Sequence, residues 1–158
     1  MAVPASYRQD AGHRPGLLIE RRYDASPEQV WHAWTDPQAL TRWFGPEETE
    51  AVLEAEADVR VGGRYRIAFI TNDGERHDVG GVYQVVQRPH KLVFTWAWRT
   101  TPERESLVTL LLQADGSGTR LAFRHEQFFD EVARDNHRRG WAGTFEKLDR
   151  YLQSPIPG

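Results

Sequence analysis

The sequence predicts an α+β domain in which a curled antiparallel sheet of about seven strands wraps a long C-terminal helix, with two short helices after the first strand. Three observations predict it. Ser26-Pro27-Glu28-Gln29-Val30-Trp31-His32-Ala33-Trp34 opens a helix directly after an alternating segment. Between Glu50 and Glu126, alternating stretches are separated by glycine-rich turn signals. Near the other end, Trp141, Phe145, Leu148 and Leu152 step by four, three and four residues, one apolar stripe of a long helix.

Each element has a local cause. Leu17 to Tyr23 alternates weakly and reads as the first strand. Ser26 caps the following helix, with Pro27 at its first position and Gln29 completing a capping box. Val30, Trp31 and Trp34 form its apolar face. Asp36-Pro37 repeats the signal for a second short helix carrying Leu40, Trp43 and Phe44, and Gly45-Pro46 ends it.

Strands follow in series. Glu50 to Ala57 is expected to point Ala51, Leu53 and Ala55 one way and Val52, Glu54 and Glu56 the other. After the turn at Val61-Gly62-Gly63, Arg64 to Ile70 sets Tyr65, Ile67 and Phe69 against Arg64, Arg66 and Ala68. The arginines are expected to meet the glutamates on a wet face. Asn72-Asp73-Gly74 is a hairpin turn. Val79 to Val86 is a strand with a bulge expected at Gly80-Gly81. Arg88-Pro89-His90 turns the chain into Leu92 to Trp98, where Leu92, Phe94, Trp96 and Trp98 share a phase. Leu107 to Leu112 is apolar on both faces, so periodicity leaves its register open. Asp115 to Gly118 turns again, and Thr119 to Glu126 sets Leu121, Phe123 and His125 against Arg120, Arg124 and Glu126. The last helix starts within Phe129 to Asp135 and runs to about Leu152, with Arg138, Arg139, Glu146, Asp149 and Arg150 on its polar side and Pro155 and Pro157 stopping it.

Sequential strands joined by short turns make a meander, whose apolar face needs a cover. The last helix is the only long one available. A straight helix does not fill the concave side of a twisted sheet, so a pocket is expected between them. Tyr65, Phe69, Tyr83, Phe94, Trp96 and Trp98 are its candidate walls, and Trp34 and Phe44 its lid or rim. Trp141 and Phe145 are candidate contacts from the helix, although their spacing also reads as core. His125 is the candidate polar anchor.

Composition narrows the function classes. The chain of 158 residues carries 20 Lys+Arg against 23 Asp+Glu, a net charge of -3, which gives no case for nucleic acid. With no cysteine, disulfides, thiolate zinc sites and cysteine nucleophiles are excluded. No apolar run reaches membrane-spanning length, and Met1 to Arg14 does not resemble a signal peptide, so a cytoplasmic location is expected. Residues 1–15 are expected to be a mobile tail and 16–154 a single domain. Six tryptophans are a heavy load for this length, and such residues dominate cores or concave binding surfaces.

In order along the chain stand Ser26-Pro27-Glu28-Gln29-Val30-Trp31, Trp43-Phe44-Gly45-Pro46, Val61-Gly62-Gly63-Arg64-Tyr65, Gly81-Val82-Tyr83, Arg88-Pro89-His90-Lys91-Leu92-Val93-Phe94-Thr95-Trp96 and Gly140-Trp141. Together these resemble the family of proteins like the C-terminal domain of the heat shock protein 90 ATPase activator, within the START-like, helix-grip (SRPBCC) superfamily. The resemblance covers nearly the whole chain beyond the first fifteen residues. It implies a helix-grip fold with a central cavity, and small bacterial relatives. It supplies no catalytic set, and the superfamily spans lipid carriers, hormone receptors, cyclases and hydrolases. The co-chaperone carries a separate N-terminal chaperone-binding domain with no counterpart here, so a chaperone partner is not expected.

The chemistry-bearing motifs are few. His125 either contacts a ligand, acts as acid or base, or is simply hydrogen-bonded near the end of its strand. Glu126 lies on the opposite strand face, and no second histidine completes a metalloprotease motif. The other histidines are scattered, and no metal or cofactor is expected. No nucleophile elbow, phosphate loop or dinucleotide fingerprint occurs. Three functions therefore stand open: binding of a small apolar or aromatic molecule, a co-chaperone-like interaction module, and an enzyme using His125. Exposed sheet edges also allow a homodimer.

Overall fold

A computed structural model describes residues 14–153. Its elements are β1 (Leu17–Tyr23), α1 (Pro27–Thr35), α2 (Pro37–Trp43), β2 (Thr49–Ala57), β3 (Arg64–Thr71), β4 (Arg76–Gln87), β5 (Lys91–Trp98), β6 (Ser106–Asp115), β7 (Gly118–Glu126) and α3 (Glu131–Gln153). The strands form one seven-stranded antiparallel sheet in the order β1-β7-β6-β5-β4-β3-β2. β2 to β7 is thus a continuous meander, and β1 returns beside β7. Together with the helices it is an α+β helix-grip fold. Most of the N-terminal tail and the terminal prolines lie outside the described residues.

The caps form as their chemistry dictates. Gln29 N donates to Ser26 Oγ while Ser26 N donates to Gln29 Oε1, so two otherwise orphaned donors are satisfied. Asp36 serves both short helices: its N–H closes α1 on His32 O, and its carboxylate accepts from Ala39 N at the start of α2. Asp130 does the same for α3 by accepting from Ala133 N.

Three details differ from the pattern read above, and one register left open there is resolved. In β2, register shifts after Thr49 and after Val52 move the faces, so Val52, Ala55 and Ala57 pack on the core while Leu53 is 46% exposed. Bulged residues invert the alternation beyond them, which simple periodicity does not see. In β4, the register shift lies between Tyr83 and Val85, not at the glycines. Gly80 and Gly81 instead allow close backbone approach, since a Cβ on Gly81 would sit 1.9 Å from Thr95 O. The open register of β6 is resolved with Val108, Leu110 and Leu112 inward and Leu111 exposed. Finally, Asp149 is not a plain solvated position, because it accepts from Tyr23 Oη at 2.7 Å and ties α3 to β1.

On the outer face, Glu54 meets Arg66 and Arg76, and Asp78 meets Arg66, Arg76 and Arg99. These pairs are the expected wet lattice, and exposed ones contribute about 0–1 kcal/mol each. The inner face builds the core with α1, α2 and the C-terminal half of α3. Phe123, Phe145 and Leu148 are fully closed from solvent there.

Candidate functional site: an aromatic cleft at one end of the grip

A hollow lies at one end of the described fold. A cleft of about 1170 Å³ lies between β3, β4 and β5, the loop from β5 to β6, and the first half of α3. Its position follows from the helix sequence. From Trp141 onward, the inward positions of α3 are bulky and fill the concave sheet. Continuing that stripe toward the N-terminus gives Gly140 and Ala133, too small to reach across, and His137, which reaches the indoles of Trp96 and Trp98. Phe44, Phe69, Trp96, Trp98, Phe128 and Trp141 border the space, and of these Trp98 is the one left partly open.

The structure brings five of the anticipated residues to this cleft: Phe44, Phe69, Trp96, Trp98 and Trp141. The other six lie away from it. Trp34 is buried against Trp43, Phe123, Trp141 and Phe145, rather than on a rim. Phe145 sits beneath Phe123 in the same core. Tyr65, Tyr83 and Phe94 form a separate cluster with centroids 5.2–6.0 Å apart, in which Tyr65 Oη donates to Thr95 O. Burial raises the Tyr65 and Tyr83 hydroxyls well above their usual range. His125 lies fully buried behind the cleft wall.

The His125 surroundings fix its chemistry. Trp141 Nε1 donates to His125 Nδ1 at 3.0 Å. Nδ1 must therefore be the unprotonated nitrogen, and the neutral ring carries its proton on Nε2. That proton is directed to Ser106 Oγ at 2.7 Å, and Ser106 passes its own to Trp96 O at 3.3 Å. A serine and histidine in contact beside a cleft invite comparison with a nucleophile and its base. The proton order is the reverse of what that chemistry needs, because the base must accept from the hydroxyl and have its Nδ1–H held by an acceptor. Burial, with His137 close by, also holds the His125 imidazole well below the usual histidine range, so it stays neutral.

Sequence reasoning passed over His137. Its Nε2 accepts from the indoles of both Trp98, at 3.0 Å, and Trp96, at 3.3 Å, while Nδ1 donates to Ala133 O at 2.8 Å. It thus pins the start of α3 to β5 and orients two cleft-wall tryptophans at once. Burial lowers this imidazole too, against a smaller opposing effect of the Ala133 carbonyl. The available signal was its place four residues before Trp141 on the inward stripe.

Two further features shape the site. His77 stacks on Phe69, with ring centroids 5.1 Å apart, and meets Thr71 Oγ1 at 3.2 Å. Phe44 is positioned from behind, because Lys147 Nζ donates to the carbonyls of Phe44, Gly45 and Pro46. Gly45 takes a positive φ of 95° in this loop, a conformation glycine adopts without strain. Burial holds the Lys147 ammonium below the usual lysine range, and the nearby Glu47 carboxylate opposes it more weakly.

Among the described residues, no helix is long and apolar enough to cross a membrane, and no group of three or more His, Asp or Glu is placed to hold a metal ion. No curated protein matches the chain in sequence. Solved structures do. The AHSA1 protein of Silicibacter pomeroyi is 28% identical with a TM-score of 0.76, covering 87% of this chain and 97% of its own. A protein of Chromobacterium violaceum is 25% identical with a TM-score of 0.76, covering 89% and 99%. CalU16 of Micromonospora echinospora is 27% identical with a TM-score of 0.64, covering 87% and 76%. The family model described as Activator of Hsp90 ATPase homolog 1-like protein matches residues 24–153, nearly all of the described chain, and the protein belongs to that family.

Proposed function

We propose that the protein binds a small apolar or aromatic molecule in the cleft between the sheet and the first half of α3. One observation carries this reading: large rings line a space of about 1170 Å³ beside a packed aromatic core. Trp98, Phe129 and Val132 leave apolar surface open to this space, and a ligand that covers it gains about 25 cal/mol per Å² of apolar area. The cleft is at or above the size typical of small-molecule sites. The His125 proton order favours binding over turnover at that residue.

Because Trp96, Trp98 and Trp141 border the cleft, their fluorescence reports on occupancy. A panel of fused-ring aromatics and fatty acids is expected to contain compounds that quench this emission. At one hundred times the dissociation constant, such a compound stabilises the fold by about 2.7 kcal/mol and raises the melting temperature by several degrees. A panel that changes neither emission nor melting temperature removes the reading.

A further inference from the structure

The hydrogen bonds around the cleft define which ligands it can take, and the argument rests on the binding reading above. All three indole N–H groups at the cleft are already committed. Trp96 and Trp98 donate to His137 Nε2, and Trp141 donates to His125 Nδ1. The remaining His137 proton goes to Ala133 O. The floor therefore offers the partly open ring of Trp98 and no spare indole or imidazole N–H.

Two buried hydroxyls border the same space. Ser106 accepts from His125 and directs its single proton to Trp96 O. Thr144 directs its proton to Gly140 O. Each hydroxyl has one proton and two lone pairs, so both retain accepting capacity and neither retains a proton to give. At the rim, Thr71 Oγ1 gives its proton to Asp73 at 2.6 Å, so it accepts from His77 Nε2 and leaves His77 Nδ1 as a further acceptor.

Charge at the mouth points the same way. Glu48, Asp73, Glu75, Asp78 and Asp130 border it, five carboxylates against the three guanidiniums of Arg76, Arg99 and Arg104. Arg76 and Arg99 already face Asp78, and Arg104 is stacked 4.0 Å over Phe129.

From this we infer that the cleft selects an uncharged, flat ring system that carries a hydrogen-bond donor, of the phenol or aryl N–H class, and discriminates against aromatic carboxylates. The ring lies against Trp98, and its donor is received by Ser106 Oγ or Thr144 Oγ1. A carboxylate would bring only acceptors to a floor made of acceptors and would meet donors at the rim, at Arg104, Asn72 and Asn136, away from the buried hydroxyls, so it surrenders more hydration than it recovers.

The test is a calorimetric titration of the intact protein at neutral pH with naphthol, methylnaphthalene and naphthoate, which share one ring system. Naphthol is expected to bind about tenfold more tightly than methylnaphthalene, the value of one well-made hydrogen bond, and naphthoate most weakly. Ser106→Ala or Thr144→Val, according to which hydroxyl receives the donor, reduces the naphthol advantage without weakening methylnaphthalene, and an advantage unchanged in both variants overturns the inference. Should Ser106→Ala fail to fold, Thr144→Val and the wild-type ranking decide alone. Naphthoate binding as well as naphthol, with that affinity lost in Arg104→Gln, overturns the inference, as do equal affinities for naphthol and methylnaphthalene. If all three bind alike, only the selectivity falls. If none binds, the cleft reading falls and takes the selectivity with it.

Discussion

His125 and His137 are imidazoles whose protonated forms the fold opposes, for different geometric reasons. His125 has both nitrogens bonded inside the core. His137 presents an accepting nitrogen to two indole donors, which a proton there would repel. Both are held below the usual histidine value of about 6.5, so the unfolded chain binds the protons that the folded chain refuses. Their contribution is complete above that value, and stability is lost as pH falls through and below it, with a slope of up to about 1.4 kcal/mol per pH unit for each group. Urea midpoints measured from neutral pH down toward pH ~5 are expected to drop, and His137→Gln should flatten the slope. A midpoint independent of pH across that range contradicts the assigned bonding. Lys147 gives a second prediction. Its ammonium serves three carbonyls behind Phe44, so Lys147→Met should cost about 1–3 kcal/mol in urea unfolding.

At the level of the element, α3 contains two glycines with opposite roles. A Cβ on Gly143 would lie 2.8 Å from Glu47 N, so this glycine lets the helix approach the loop that carries Phe44. A Cβ on Gly140 meets nothing within 4 Å. Gly140→Ala should therefore stabilise by roughly 0.5–1 kcal/mol through helix propensity alone. Gly143→Ala should destabilise despite the same propensity gain, because the backbone of the loop must shift. Paired thermal melts check this, and parallel effects of the two substitutions would contradict the packing described. The same logic applies in the sheet, where Gly81→Ala would drive a methyl group into Thr95 O and separate β4 from β5.

At the level of the whole molecule, the grip has a solid end and a hollow end, and stability resides in the first. Phe123 is fully enclosed between the sheet, Trp34 and Trp141. Phe123→Ala is expected to cost about 3–5 kcal/mol, since the site has no room to collapse. Trp98 is only partly buried and faces the cleft. Trp98→Ala should cost clearly less in chemical denaturation while reducing ligand-induced quenching. Equal costs at the two positions would mean that the cleft is part of the packed core.

The order of strands, both proline-led caps and the apolar stripe of α3 were readable because each is a local rule acting over a few residues. The alternation in β3 and β7 and the outer arginine-carboxylate lattice followed from the same periodicity. Of the candidate site, the aromatic phase along β5 put Trp96 and Trp98 on the inner face, but the same phase also carries Phe94, which belongs to a separate cluster. Nothing in a strand pattern says how far along the sheet the covering helix stays bulky. That was decided by where α3 changes from Trp141 and Phe145 to Gly140, His137 and Ala133 as it crosses the sheet. The histidine bonds depended likewise on side chains brought together from β5, β6, β7 and α3. Periodicity assigns a residue to a face. Which faces meet, and where they leave space, depends on packing between segments distant along the chain.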